Sequence, residues 1–156
     1  MHFLGSLNKA NESEAWIAQI ANYQTMYTQA TLSPIAASPT GRSAESKRLG
    51  EALKTTLSIP DLSGESLEFK RGQLLASGDN PLVQLAYLNP ETGQPLALCI
   101  TRKKSASDTF KSGHYNGVNY VVWGRGDLSY IVIGDYDTEV LNTIATSADA
   151  QGITAL

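Results

Sequence analysis

Three acidic residues near the C-terminal end of the chain alternate in a pattern that could bind calcium. Asp135, Asp137 and Glu139 offer carboxylate oxygens, which are ligands that Ca²⁺ prefers. An EF-hand loop also needs a glycine at its sixth position and a glutamate at its twelfth, whereas here an apolar helical pattern follows the acids. Carboxylates at the start of a helix cap free N–H groups and interact favourably with the helix dipole. We therefore predict helix-capping residues and no metal site.

Two histidines, His2 and His114, are the available imidazole bases. Nucleophilic catalysis needs a nucleophile, a base and an orienting group in contact. His2 lies near the N-terminus, and His114 lies in the polar segment 105–116, which we expect to be a mobile loop. The sequence Gly64-Glu65-Ser66-Leu67 begins like the nucleophile elbow G-x-S-x-G, but its second glycine is missing, since position 68 is a glutamate. We predict a non-enzymatic protein with no catalytic residue.

The remaining reactive or charged groups have simpler structural interpretations. Cys99, the single cysteine, lies in the apolar run Leu96–Ile100 and is predicted to be a small buried side chain. The basic cluster Arg102–Lys104 favours a solvated strand end over a phosphate site. The segment Gly124–Asp127 lacks the third glycine of a dinucleotide fingerprint and precedes a strand, so we predict the turn of a hairpin.

Composition favours one globular domain. The 156 residues include 12 Lys and Arg against 15 Asp and Glu, for a net charge of −3, which argues against nucleic acid as a partner. No stretch reaches the roughly 20 apolar residues of a membrane span. We expect residues 1–10 to be a disordered or artificial N-terminus, 11–150 to be a single sensor-like domain, and 151–156 to be a C-terminal tail.

Helical periodicity characterises the first third of the chain. Trp16, Ile20, Tyr23 and Tyr27 follow Asn11 at spacings that place them on one helix face, which we expect to pack against a sheet. A linker is predicted at Ser33–Gly41, because two prolines and a glycine interrupt any helix there. A second helix is predicted over Ser43–Leu57, with Leu49, Leu53 and Leu57 in line.

Strand patterns follow from Leu67 onward, and a final helix ends the domain. The strands are predicted at 67–69, 73–76, 82–88, 96–101, 118–123 and 128–133, with a tight turn at Lys70–Gly72. Their short connections predict an α+β fold, with an antiparallel meander sheet of five or six strands, two N-terminal helices and a C-terminal helix. The buried face of that last helix is predicted to be Val140, Leu141, Ile144, Ala145 and Ala148.

Several phrases of the sequence occur in an order that is typical of one protein family. They are Ile59-Pro60-Asp61-Leu62-Ser63-Gly64, Arg71-Gly72-Gln73-Leu74-Leu75, Gly117-Val118-Asn119-Tyr120-Val121-Val122-Trp123, Gly126 with Leu128-Ser129-Tyr130, and Ile133-Gly134-Asp135. The residues Ala21–Gln24, Met26-Tyr27 and Thr31-Leu32 add a segment similar to a juxtamembrane helix. Over residues 15–150 the chain resembles the extracytoplasmic domains of bacterial transmembrane anti-sigma factors.

The resemblance implies a regulatory domain in the periplasm, belonging to an inner-membrane protein. In that family a cytoplasmic helical domain, often with an H-x-x-x-C-x-x-C zinc site, holds an extracytoplasmic-function sigma factor, and one transmembrane helix connects the two sides. This sequence contains neither the zinc motif nor the span, so we expect it to reach the sigma factor and the membrane only through parts outside this chain. The family brings no catalytic, cofactor-binding or metal-binding residues.

Two questions stay open at the level of sequence. The residues do not indicate whether an envelope protein, a protease or a ligand delivers the signal, nor which residues would bind it. An alternative function is a free-standing soluble small-molecule binding module, in which the face of Trp16 and Tyr23 would line a pocket. A small hydrolase of unfamiliar type is disfavoured by the poor set of acids and bases.

Overall fold

An antiparallel sheet forms the centre of the protein, as a computed structural model shows for residues 16–18, 20, 39–77, 79–103 and 108–155. Its six strands and the flanking helices confirm the predicted α+β class. The elements are α1 (Pro39–Leu53), β1 (Thr56–Leu57), a 3₁₀ turn (Ser63–Glu65), β2 (Glu68–Ser77), β3 (Asn80–Leu88), β4 (Pro95–Thr101), β5 (Lys111–Tyr115), β6 (Val118–Arg125), β7 (Leu128–Gly134), α2 (Thr138–Ala150) and β8 (Thr154–Ala155). Residues 16–18 and 20 are helical and are called the N-terminal helical segment. The bounds of the first predicted helix lie outside the described residues.

The large sheet consists of two three-stranded meanders joined side by side. Its strand order is β2-β3-β4-β7-β6-β5, and every neighbouring pair is antiparallel. The chain therefore leaves β4 for the far edge at β5 and returns through β6 to place β7 beside β4. The predicted meander is correct within each half, but the central pair is β4–β7, because these two strands are the most apolar on both faces.

One face of the sheet is covered by α1 and α2. Helix α1 packs over β2 and β3, and α2 packs over β6 and β7. Leu49 and Leu53 of α1 are fully buried, as are Leu141 and Ala145 of α2. The predicted strand over 118–123 is confirmed as part of β6, and on this face its Val121 and Trp123 join the same core.

The opposite face is covered by the N-terminal helical segment. Trp16, Ile17 and Ile20 pack with residues of the central strands, among them Cys99 and Ile131. Val118, Tyr120 and Val122 of β6 lie against this second core, because alternate residues of a strand point to opposite faces of the sheet. The expectation that Trp16 and Ile20 pack against the sheet is therefore confirmed. Tyr23 and Tyr27 lie outside the described residues.

Strand β2 runs without interruption through the predicted turn at Lys70–Gly72, so that prediction was wrong. The pairing with β3 shifts between Phe69 and Arg71, which makes Lys70 a β-bulge. Gly72 serves a different purpose, because a Cβ atom there would come within 2.4 Å of Leu49 Cδ1. The glycine lets α1 approach the sheet closely.

Helix α1 begins and ends four residues earlier than predicted. Residues 39–41, expected to belong to a linker, form its first turn, where a proline costs no hydrogen bond. The helix ends in a Schellman motif in which Lys54 adopts a left-handed φ of 59°, its N–H donates to Glu51 O at 3.1 Å, and Thr55 N–H donates to Gly50 O at 3.0 Å. Leu57 is buried as expected, but it lies on β1.

The last described residues belong to the fold rather than to a tail. Strand β8 pairs with β1, Ser58 N–H donates to Ile153 O at 2.8 Å, and Ile153 is buried in the core. Isolated pairs of so few residues carry no recognisable strand pattern, which explains the wrong prediction for 151–156.

Two smaller expectations also need correction. Residues 111–115, within the segment expected to be a mobile loop, form the edge strand β5. Val140 was placed on the buried face of α2, but it is 42% exposed, whereas the other four predicted residues are buried. No helix within the described part of the chain combines the length and the apolar character needed to cross a bilayer.

Gly50 offers a test of how tightly α1 is fitted against β1. A Cβ atom at Gly50 would lie 2.8 Å from the backbone oxygen of Thr55 and 3.1 Å from the backbone nitrogen of Leu57. We expect Gly50→Ala to destabilise the protein by about 1–3 kcal/mol through overpacking, despite the higher helix propensity of alanine. Gly64→Ala is the matched control, since a Cβ there meets nothing within 4 Å. Equal urea midpoints for the two variants would contradict this account.

Candidate functional site

The acidic residues Asp135, Asp137 and Glu139 lie between the end of β7 and the first turn of α2. Asp137 is the N-cap residue, and its backbone oxygen accepts a hydrogen bond from Leu141 N–H at 3.0 Å. Its side chain makes no capping hydrogen bond, so the side-chain part of the prediction was wrong; Glu139 lies in the first turn, where it can interact with the helix dipole. Within the described ranges, no three His, Cys, Asp or Glu side chains lie close enough together to hold a metal ion.

His114 is held on β5 by a chain of hydrogen bonds. Its Nδ1 lies 2.9 Å from Asn119 Oδ1, and Asn119 Nδ2 donates to the backbone oxygen of Tyr136 at 2.8 Å. Because the Asn119 amide nitrogen is the donor in that second bond, its oxygen is an acceptor, and His114 Nδ1 carries the proton. The histidine is exposed, as expected for a surface residue, and the hydrogen bond with Asn119 fixes the orientation of its ring.

Cys99 is a buried residue of β4, as the apolar run predicts. Burial raises the pKa of its thiol well above the ordinary value, and a hydrogen bond with the Gln84 side chain opposes this shift only in part. The protonated thiol is a poor nucleophile. Cys99 therefore acts as a packing residue of the second core.

Arg102, predicted to lie at a solvated strand end, binds the C-terminal end of α1. Its Nε donates to the backbone oxygen of Leu53 at 2.8 Å, so the guanidinium caps the C-terminal end of α1. A cation at this end also interacts favourably with the helix dipole. The sequence showed only a basic cluster, because the carbonyl group that Arg102 binds is distant along the chain.

Asp149 of α2 connects the helix to the β6–β7 hairpin. Its Oδ1 accepts hydrogen bonds from Trp123 Nε1 at 3.2 Å and from Arg125 Nε at 2.8 Å, and its Oδ2 forms an ion pair with the same guanidinium. This carboxylate raises the pKa of Arg125 through the hydrogen bond and its charge. Residues 126–127 form the predicted hairpin turn, and the Arg125 guanidinium beside this turn binds Asp149.

Trp123 is the centre of an aromatic cluster on the same hairpin. Its ring stacks on Tyr130 with centroids 5.3 Å apart and planes inclined by 16°, and Phe110 contacts it at 5.2 Å. Burial raises the pKa of Tyr130, whose hydroxyl shares a hydrogen bond with Thr154 of β8. The indole is 1% exposed, so Trp123 is a core residue.

A recess at one end of β2 and β3 is the best candidate for a binding site. It has a volume of about 350 Å³, and we call it the acidic recess because Asp61, Glu68 and Glu91 line it. Phe69 and Tyr87 also line it, with their rings edge to face and centroids 5.6 Å apart. Apolar surface with a few fixed polar groups is the usual make-up of a ligand pocket.

The wall of the acidic recess on the Asp61 side is tied to two other parts of the fold. Tyr87 Oη donates to the backbone oxygen of Pro60 at 2.7 Å. The side-chain amide of Gln151, at the end of α2, accepts from Asp61 N–H and donates to Asp61 O, both at 2.8 Å. Asp61 Oδ1 in turn accepts the N–H of Ser63 at 3.0 Å. This segment is therefore held in one conformation.

The wall on the Glu91 side is a turn built around Asn89. Asn89 Oδ1 accepts the N–H groups of Glu91 at 2.9 Å and Thr92 at 3.2 Å, and its backbone oxygen accepts Gly93 N–H at 2.8 Å. Side-chain bonds of this kind fix a loop without regular structure. The short connection between the strands predicted at 82–88 and 96–101 indicated a turn here. The sequence did not indicate that this turn faces Asp61, since only the β2–β3–β4 pairing brings the two together.

Comparisons with known proteins give no match: no family model fits the chain, and no curated protein matches its sequence. Function therefore has to be inferred from the residues and their contacts.

Trp123 should be among the most sensitive positions of the domain. Trp123→Ala removes the indole from the core together with its stacking on Tyr130, and we expect a loss of about 3–5 kcal/mol in the free energy of unfolding. Val140→Ala, at an exposed position of α2, should change it by less than about 0.5 kcal/mol. Urea denaturation measures both, and coincident midpoints for Trp123→Ala and wild type would contradict the core assignment.

Tyr136 should make the protein sensitive to alkaline pH. Burial, together with the charge of Asp135, raises the pKa of the Tyr136 phenol to about 12. The unfolded chain ionises this group near its ordinary value of about 10, so the unfolded state loses its proton first and stability falls as pH rises from about 10 to about 12. In urea denaturation at several pH values, Tyr136→Phe should lose less stability over this range than wild type. Tyr115→Phe, which alters an exposed tyrosine, should behave like wild type; identical slopes for all three would contradict the prediction.

Proposed function

We propose that this domain is the non-enzymatic extracytoplasmic regulatory domain of a membrane-anchored anti-sigma factor. It relays a signal from the cell envelope to an extracytoplasmic-function sigma factor, which a cytoplasmic part of the same protein holds. The observation that carries the proposal is the position of the phrases that resemble this family. They coincide with the contacts that join the separate elements of the fold.

The phrase at residues 59–64 joins the N-terminal half to the sheet. Pro60 accepts the hydrogen bond of the buried Tyr87, and Leu62 is buried in the main core. Asp61 is bound on its backbone by Gln151 from the end of α2. Three consecutive residues of this short segment, Pro60, Asp61 and Leu62, thus make long-range contacts. This supports the interpretation that the segment is a sequence feature of the fold.

The phrase at residues 117–123 supplies two contacts that position α2. Asn119 donates to the backbone just before the helix, and Trp123 donates to Asp149 near its end. Both side chains come from β6 and bracket the helix at its two ends. Other proteins with this hairpin and helix would need the same spacing between these two side chains to bond both ends of the helix, which supports the family resemblance.

Three groups in the described part of the chain that could do acid–base or nucleophilic chemistry are engaged in structural contacts. His114 donates to Asn119, Asp149 binds Trp123 and Arg125, and the Cys99 thiol is buried. This engagement supports a regulatory function over a hydrolytic one. The alternative of a small-molecule module built on the Trp16 face is not favoured, because Trp16 packs in the second core.

The proposed protein lies in the inner membrane with this domain in the periplasm. Its cytoplasmic partner is the sigma factor, and an envelope protein or a protease is the proposed source of the signal. Membrane attachment is assigned to a transmembrane helix outside this chain, and no nucleic acid is assigned as a partner of a domain with net charge −3.

A genetic experiment tests the proposal in the intact organism. The reading frame upstream of the domain should encode a span of about 20 apolar residues and, before it, a cytoplasmic helical domain. Deleting the whole gene should raise transcription from promoters that depend on the neighbouring sigma factor, and the full-length gene should restore repression. A promoter and ribosome-binding site directly upstream of Met1, or unchanged transcription after deletion, would contradict the proposal.

A further inference from the structure

We propose that Asn116 is a site of spontaneous covalent modification, and that the closed β5–β6 hairpin holds the reaction back. Asn116 and Gly117 form the two-residue turn of this hairpin, and both are exposed. They are also the single Asn-Gly pair in the sequence. This site is separate from the proposed link to a sigma factor and would exist equally in a protein with another cellular function.

The reaction is an intramolecular attack by the Gly117 backbone nitrogen on the side-chain amide carbon of Asn116. A bond forms between Gly117 N and Asn116 Cγ, the Cγ–Nδ2 bond breaks, and the leaving nitrogen departs as ammonia with the proton that Gly117 N loses. Water then adds to one of the two carbonyl groups of the cyclic imide, which gives either aspartate or isoaspartate. Glycine favours the attack because it has no Cβ atom to crowd its nitrogen or to restrict its backbone.

The closed turn keeps the two reacting atoms apart. Asn116 has a φ of 50° and Gly117 a φ of 82°, and strand pairing closes directly on either side of them at Tyr115 and Val118, which is the pattern of a type I′ turn. In the left-handed conformation ψ is about +47°, so Gly117 N lies nearly opposite Cβ about the Cα–C bond of Asn116. The five-membered ring can close only when these two atoms are nearly eclipsed. The hairpin must therefore open before Asn116 can react.

Opening of this hairpin is a local event, because β5 is an edge strand. Among the described strands β6 is its one neighbour, and four of its five residues are exposed. Two side-chain hydrogen bonds add to the pairing: His114 Nδ1 with Asn119 Oδ1 at 2.9 Å, and Asn142 Nδ2 with Ser112 Oγ at 3.3 Å. A strand that buries so little surface opens at a low free energy.

Formation of isoaspartate would make the opening permanent. The backbone would then pass through the former side chain of Asn116, so the loop would gain one methylene group and no longer fit a two-residue turn. Strand β5 would lose its register with β6, together with the hydrogen bond between His114 and Asn119. Strand β6 would then present its own edge to solvent or to another strand. The amount of product therefore depends on how often the edge strand opens.

Peptide mapping of the full-length protein, after storage at mildly alkaline pH, tests the proposal. The tryptic peptide 112–125 carries both Asn116 and Asn119, so Asn119, which precedes a tyrosine, is an internal control. We expect product at Asn116 and none at Asn119. It should form at least about tenfold more slowly than in a synthetic peptide of residues 112–125, where no sheet holds the turn closed. Electron-transfer fragmentation distinguishes isoaspartate from aspartate.

Gly113→Ala tests the dependence on hairpin opening without altering the turn. The Tyr120 ring packs directly over Gly113, so a Cβ atom there would collide with it and push β5 away from β6. We expect faster amide hydrogen exchange along β5 and modification of Asn116 at least about threefold faster than in wild type. Gly64→Ala, where a Cβ atom meets nothing within 4 Å, should leave both rates unchanged. If Gly113→Ala does not accelerate exchange, wild type in urea below its unfolding transition provides the same comparison.

Two results would overturn the proposal. Modification of Asn116 in the folded protein as fast as in the synthetic peptide would show that the turn does not hold the reaction back. An unchanged or undetectable rate at Asn116, once exchange along β5 has been accelerated by either means, would show that opening of the hairpin does not lead to modification. Neither result bears on the sigma factor, which the deletion experiment tests separately.

Discussion

Burial of the two central strands on both faces is the constraint on which the fold depends. Every residue of β7 is buried, and β4 is buried except at Pro95, so neither strand can leave a face open to water. The sheet therefore needs a helical layer on each side, and the chain supplies α1 and α2 on one face and the N-terminal helical segment on the other. The polar contacts of Asp149, Arg102 and Gln151 then fix how the helices on the first face are seated.

The elements with a clear hydrophobic period were predictable from the sequence. The strands predicted at 82–88, 96–101, 118–123 and 128–133 and most of the predicted buried face of α2 match the structure. The predictions were wrong where glycine or proline is compatible with two different local structures. Gly72 suggested a turn, but it gives space to Leu49 across a continuous strand, and residues 39–41 suggested a linker but form the first turn of α1.

The acidic recess could not be predicted, because its parts are separated along the sequence. Asp61 and Glu91 come together only through the pairing of β2, β3 and β4, and the amide that holds Asp61 comes from Gln151 at the far end of the chain. The same holds for Asp149, whose importance depends on two donors from β6. Periodicity identifies which face of an element is buried, whereas such contacts depend on the register between elements.

The pairing of β1 with β8 has a kinetic consequence. It joins residues about one hundred positions apart, so the entropy of closing that loop opposes the contact until the intervening sheet has formed. Proteins dominated by such distant contacts fold slowly compared with helical bundles of similar size. The hydrogen bond between Tyr130 and Thr154 and the burial of Ile153 belong to the same closure. The transition state for folding should therefore contain the six-stranded sheet while the β1–β8 pair is still open, which would give residues 153–155 φ-values near zero.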